Sequence, residues 1–124
     1  MESSKKKFPQ RGEIHWVDYN YKTQQGAEIK KTRPSLVISN NAQNEFDKQI
    51  IVVPLSTEDI NQVEDFEVFI DKAPKNGLEK PSKILCNRLQ TIDMAIRLKG
   101  FMGATNPEIM DQVSKALKIV LVIY

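Results

Sequence analysis

Arg33 ends a long polar stretch and stands immediately before Pro34. A residue preceding proline is driven out of the helical region, so Arg33 is expected in extended backbone at the mouth of a strand. Its guanidinium is always charged and presents a planar fork of N–H donors that matches phosphate. Ser56 and Thr57 follow an apolar run, Ile50-Ile51-Val52-Val53-Pro54-Leu55, from where their hydroxyls could reach the same anion. An arginine with hydroxyls beside it makes a sensible phosphate-binding group. The ordinary alternative, a loop arginine paired with Glu28, stays open on spacing alone.

Other chemistries fail on residue supply. The chain has one histidine, His15, which excludes a paired-imidazole mechanism and a two-histidine metal centre. Its one cysteine, Cys86, excludes an intramolecular disulfide and a cysteine-rich zinc site, and fits a reducing, cytoplasmic setting. Cys86 lies in an apolar segment and reads as a small buried hydrophobe; His15, beside Trp16, reads as a core or edge histidine. The five glycines form neither a P-loop nor a dinucleotide fingerprint, and there is no G-x-S-x-G elbow. Glu58-Asp59 and Glu64-Asp65 are adjacent pairs whose members would face opposite ways on a strand, so they read as a solvated acidic loop. No metal ligand set and no cofactor are expected.

Charge is nearly balanced, with 18 basic and 16 acidic side chains, but segregated along the chain. Lys22, Lys30, Lys31 and Arg33 share a stretch with one acid, Glu28. Six acids then run from Glu58 to Asp71 without a base, and a basic stretch follows from Lys72 to Lys99. Such segregation can create a basic surface for a polyanion on a near-neutral protein. Ordinary solvated charge is the alternative.

The elements that must hold these residues are short. At 124 residues the chain suits one domain. Residues 1–9 are polar and basic without periodicity, as in a flexible tail, and 10–124 form the domain; no apolar segment follows the lysines as a secretory signal would require. No apolar run approaches the roughly 20 residues of a membrane span. Glu13 to Tyr19, rich in aromatic and β-branched residues, reads as a strand. So do Ser35–Ile38, Ile50–Leu55, Phe66–Ile70, the single segment Lys83–Gln90 and a short Lys99–Met102. Residues 20–31 form a long polar loop, and Asn40, Asn41 and Asn44 supply turn chemistry. Pro54 marks an edge, a bulge or a strand end. Asn106 as N-cap, Pro107 and Glu108 open an amphipathic helix whose apolar positions are Ile109, Val113, Ala116, Leu117 and Val120. Five or six strands and one terminal helix make a mainly β fold, a small antiparallel barrel with a helical cap.

In order along the chain stand Arg11-Gly12-Glu13-Ile14-His15-Trp16-Val17-Asp18-Tyr19, Gly26-x-Glu28, Thr32-Arg33-Pro34-Ser35-Leu36-Val37-Ile38-Ser39-Asn40 and Val53-Pro54-Leu55-Ser56-Thr57. Ser82-x-Ile84-Leu85, Thr91-Ile92-Asp93 and Arg97-Leu98 follow. Together these segments closely resemble the MazF/PemK toxin family over nearly the whole chain. The resemblance implies an SH3-like barrel, usually a homodimer, that cuts single-stranded mRNA at short sequences without a metal. It also implies a cognate MazE-type antitoxin. By position, Arg33 matches the family's catalytic arginine and Ser56 a position usually held by threonine, with Thr57 as a possible substitute. Glu28, Lys30, Lys31, Lys83, Asn87, Arg88 and Gln90 are the expected RNA-contacting residues. Arg88 falls where glutamine is common and Gln90 where arginine is common. That exchange bears on which base edges are read rather than on cleavage.

Two other functions suit the same architecture. One is a gyrase-poisoning toxin resembling CcdB, whose tail ends tryptophan-glycine-isoleucine; this chain ends Leu121-Val122-Ile123-Tyr124. The other is a non-catalytic RNA-binding barrel. Nicking of single-stranded RNA separates both from a nuclease.

Overall fold

β1 (Glu13–Asp18) puts alternate side chains into two separate cores, and the rest of the molecule is arranged around that division. This is a computed structural model that describes residues 8–19 and 32–123. Ile14 joins the larger core with Leu36, Val53, Leu55, Val68, Ile84 and Val113, while Val17 joins Tyr19, Val37, Ile50, Val52 and Ile92 in the second. Period-two alternation is therefore satisfied on both faces of the sheet.

β1 pairs antiparallel with β2 (Thr32–Val37) on one side and with β7 (Leu98–Ala104) on the other. β2 pairs with β3 (Gln49–Ser56), and β4 (Glu67–Ile70) pairs with β5 (Ser82–Leu85). The path runs β4-β5-β3-β2-β1-β7, with β6 (Gln90–Asp93) also on β3, giving a seven-stranded, barrel-like antiparallel sheet that does not close on itself. Helix α3 (Pro107–Leu121) opens as its sequence predicts: the Asn106 side chain accepts the Ile109 N–H at 2.8 Å and Pro107 starts the first turn. Val113 and Ala116 are buried in the larger core, against which Ile109, Met110 and Leu117 also pack.

Several expectations change. Lys83–Gln90 is two strands rather than one: β5 ends at Leu85, the Arg88 N–H turns back onto the Leu85 carbonyl at 3.1 Å, and β6 begins at Gln90. The asparagine cluster forms a short helix, α1 (Asn41–Phe46), capped by Asn40, with Asn44 buried against Ser39. A second one, α2 (Met94–Arg97), joins β6 to β7. Pro54 lies inside β3 rather than at its end. β3 pairs with β6 through Gln49 to Val52 and with β5 through Leu55 and Ser56. Pro54 thus occupies the gap between two neighbours, where its missing N–H costs no pairing with either. Of the expected tail, residues 1–7 lie outside the described residues; Phe8 is partly covered and Pro9 is buried.

Between β4 and β5 the chain is held by Asn76, whose Oδ1 accepts the N–H groups of Ala73 and Leu78 while its Nδ2 donates to the Asp71 carbonyl. Gly77 follows at φ +74°, and a Cβ there would lie 2.4 Å from the Met102 carbonyl oxygen of β7. Left-handed backbone and backbone-to-backbone approach both demand glycine here. Gly77→Ala should therefore lower stability by about 1–3 kcal/mol. Gly100→Ala should do much less, since its Cβ would meet only Trp16 Cδ1 at 3.9 Å. Denaturant midpoints of the two variants check this.

Candidate functional site: an arginine and a serine across two strand ends

Arg33 lies opposite Val17 in the β1–β2 register, so it shares a sheet face with Ser35, Val37 and the second core. The β2–β3 register sets Ser35 against Pro54, Leu36 against Val53 and Val37 against Val52. Continued two residues beyond the Ser35–Pro54 pair, the same antiparallel register sets Arg33 opposite Ser56. Residues 23 apart in sequence are thus brought across from each other at two strand ends. Arg33 is partly buried, and its Nε atom is buried without a hydrogen-bond partner among the described residues. A buried, charged donor left unpaired is unfavourable unless something else satisfies it. The Ser56 hydroxyl oxygen accepts the Glu58 N–H at 3.1 Å, which fixes its orientation where β3 ends.

Three further polar residues surround Arg33. Tyr19 and Ser35 share a hydrogen bond, Oη to Oγ, of 2.7 Å. Burial pushes the Tyr19 phenol above its ordinary range, and the Ser35 bond with the charges of Arg97 and Arg33 offsets only part of that shift. It remains a protonated donor at neutral pH. The Arg97 guanidinium lies 5.7 Å from the Tyr19 ring centroid, donates Nε–H to the Asp18 carbonyl at 3.0 Å, and donates from Nη2 to Gln90 Oε1 at 2.8 Å. Gln90 pairs with Val52 and so lies on the same face. Two guanidiniums, a phenol and two hydroxyls on one face can hold an anion and stabilise charge developing on it. Sequence reasoning missed Tyr19, Ser35 and Arg97 as members. Two-residue alternation from Arg33 would have found Ser35.

The remaining candidates separate. Thr57 does not join Ser56: it is exposed and lines a groove on the other side, with Trp16 and Pro34. Lys83 corrects the expectation most. It is directly cross-strand from Ser56, but it is buried, its Nζ pairing with Glu67 Oε1 at 2.8 Å and donating to the Gln62 carbonyl at 2.9 Å. An ammonium engaged in this way is a structural cation and not a free phosphate contact. Asn87 and Arg88 are exposed in the β5–β6 turn. Glu28, Lys30 and Lys31 lie outside the described residues.

His15 Nε2 is 2.9 Å from Glu13 Oε1, and the ring meets Phe101 edge-on with centroids 5.5 Å apart. Burial and the nearby Glu67 carboxylate push the Cys86 thiol up to about 12, so it is an inert core group. Among the described residues, no three His, Cys, Asp or Glu side chains group to hold a metal, and no helix is long and apolar enough to cross a membrane.

The fold recurs in solved structures. MazF from Deinococcus radiodurans matches with TM-score 0.75 at 21% identity, covering 95% of this chain and 100% of that one. An endoribonuclease in complex with its cognate antitoxin, from a mycobacterial species, matches with TM-score 0.74 at 22% identity, covering 94% and 97%. The Mycobacterium tuberculosis toxin MazF-mt6 gives 0.73 at 21%, covering 90% and 98%. At these identities the likeness establishes the fold. Membership comes from the sequence itself, since the family model for the PemK-like, MazF-like toxin of type II toxin–antitoxin systems matches residues 10–121. Spanning nearly the whole described chain, that match makes this protein a member of the PemK/MazF toxin family.

Proposed function

We propose that this chain is a sequence-specific endoribonuclease that cleaves single-stranded mRNA without a metal and so inhibits translation and growth. The observation that carries this reading is the buried Nε of Arg33, which has no hydrogen-bond partner among the described residues, on a strand whose register with β3, continued by two residues, leads to Ser56. A phosphodiester oxygen seated between them would satisfy the orphan donor. The ribose 2′-oxygen attacks its own 3′-phosphate, the 2′-O–P bond forms and the P–O5′ bond breaks. The 2′-hydroxyl proton is lost, the 5′-oxygen gains one, and the products carry a 2′,3′-cyclic phosphate and a 5′-hydroxyl. Arg33 neutralises charge growing on the non-bridging oxygens and Ser56 donates a hydrogen bond to them. Arg97 and Tyr19 hold the positive, hydrogen-bonded surround. DNA lacks the attacking hydroxyl and is not cut.

Family membership and antitoxin complexes of similar structures support a cognate MazE-type antitoxin as partner. We read the functional unit as a cytoplasmic homodimer of a single domain spanning 10–124. The test is incubation of purified protein with end-labelled single-stranded RNA. Cleavage should persist in excess EDTA, leave cyclic-phosphate ends and disappear when the ribose at the cut carries no 2′-hydroxyl. Loss of cleavage in EDTA with recovery in magnesium, RNA folding being controlled, would refute the metal-free mechanism.

A further inference from the structure

Pro34 and Thr57 each follow a residue of the proposed phosphate site, and both line a groove of about 200 Å³ on the opposite side of the strand ends. Trp16 also lines it, and is 39% exposed although it lies within β1 between two partners. The register explains the exposure. Trp16 is paired with Pro34 on β2 and with Gly100 on β7. Gly100 has no side chain to cover the indole, and even a Cβ there would only reach ordinary contact with Cδ1 at 3.9 Å. Leu78 and Met102 add apolar lining, with the Gly77 turn packed against Met102, and exposed Glu79 and Lys80 add polar lining.

We propose that this groove holds an unpaired nucleobase, stacked on Trp16, from a nucleotide flanking the phosphate at Arg33. The inference rests on the ribonuclease reading and names a base-binding subsite for it. An aromatic face with apolar and polar lining beside it is how single-stranded RNA bases are held once splayed from their neighbours. Continuity favours RNA over a protein segment as the occupant. Consecutive residues on a strand face opposite ways, so an RNA whose phosphate lies at Arg33 and Ser56 meets Pro34 and Thr57 as it passes over the strand ends. Lys80 in the polar lining suits the neighbouring phosphate, and Glu79 and Thr57 can accept hydrogen bonds from a base edge.

Trp16 is the chain's one tryptophan, so its fluorescence reports this groove alone. The probe is an RNA first mapped as a substrate, then made with 2′-deoxyribose at the cut so that it binds without reacting. Binding should quench Trp16 emission, and an abasic nucleotide at one of the flanking positions should abolish the quench. With cleavable RNA, Trp16→Ala should raise KM by about tenfold, within the range for one stacked base. Trp16→Phe, which keeps a ring, should recover most of that loss. Removing the flanking base should weaken wild-type binding but leave Trp16→Ala nearly unaffected, a coupling that a merely structural tryptophan would not show. Binding by anisotropy with silent Trp16 emission, or additive effects of the abasic and alanine changes, would overturn the inference while leaving cleavage intact. Quenching by a cognate antitoxin segment but not by RNA would also overturn it, identifying the groove as a peptide site. If RNA is neither bound nor cut, the ribonuclease reading falls first and this subsite with it.

Discussion

Arg33→Ala should lower the single-turnover cleavage rate by about 10²–10³-fold, the loss typical of removing one donor from a site that stabilises developing charge. RNA affinity should fall far less, because Arg33 holds one phosphate of a strand that the protein binds through several. The distinction follows from geometry. A donor that is buried, and unpaired among the described residues, need not break a protein hydrogen bond to meet the charge that builds on the phosphate. Arg33→Lys keeps the charge but loses the fork, and should recover only part of the rate. Ser56→Ala should act in the same direction more weakly. Thr57→Ala should leave the saturating rate close to wild type, since Thr57 faces away from Arg33. The measurement is single-turnover cleavage at saturating RNA beside equilibrium binding at several salt concentrations. A wild-type rate for Arg33→Ala at saturation would make Arg33 a binding residue only.

How far these roles were legible depended on whether the signal was local. The arginine-proline step fixed extended backbone at Arg33 by sterics alone, and Asn106-Pro107 opened α3 for equally local reasons. Alternation along Glu13–Asp18 was legible, but not that both of its faces would be buried, because β7 and α2 come back from the far end of the chain. The β5–β6 break was hidden for a different reason. Its turn, Cys86-Asn87-Arg88-Leu89, contains no glycine or proline, and it is closed by a backbone bond to Leu85. Arg97 lies 64 residues beyond Arg33, and only the β7 return places it over Tyr19. Lys83 misled because a lysine in an otherwise apolar strand reads as an exposed cation until its diagonal partner is known. The β4–β5 register supplies that partner by setting Glu67 against Leu85 and Phe69 against Lys83.

That buried pair yields the largest expected stability effect. The Lys83 and Glu67 side chains are 7% and 11% exposed, so removing one leaves the other charged group desolvated without compensation. Lys83→Met should destabilise the fold by about 3 kcal/mol at neutral pH, the lower end for breaking a buried pair, and lower the melting temperature by roughly 10 °C. Lys83→Met with Glu67→Leu should regain most of the loss, because an apolar pair of similar volume needs no compensation. The pH dependence carries its own sign. Burial raises the Glu67 carboxyl, but the hydrogen bonds from Lys83 and the Glu64 backbone, with the charges of Lys83 and Arg88, outweigh it and leave the group below its ordinary value. A carboxyl lowered on folding stabilises above its unfolded value of about 4.3, and that contribution is lost as pH falls through the folded value. In Lys83→Met the same carboxyl is buried without its cation and should titrate higher than in the unfolded chain. Acidification from neutral pH should then narrow the gap between variant and wild type. Chemical denaturation of the three proteins at pH 7 and pH 4 measures both terms. Equal stability of Lys83→Met and wild type at pH 7 would show that the pair contributes nothing to the fold, and Lys83 would return to the RNA-binding set.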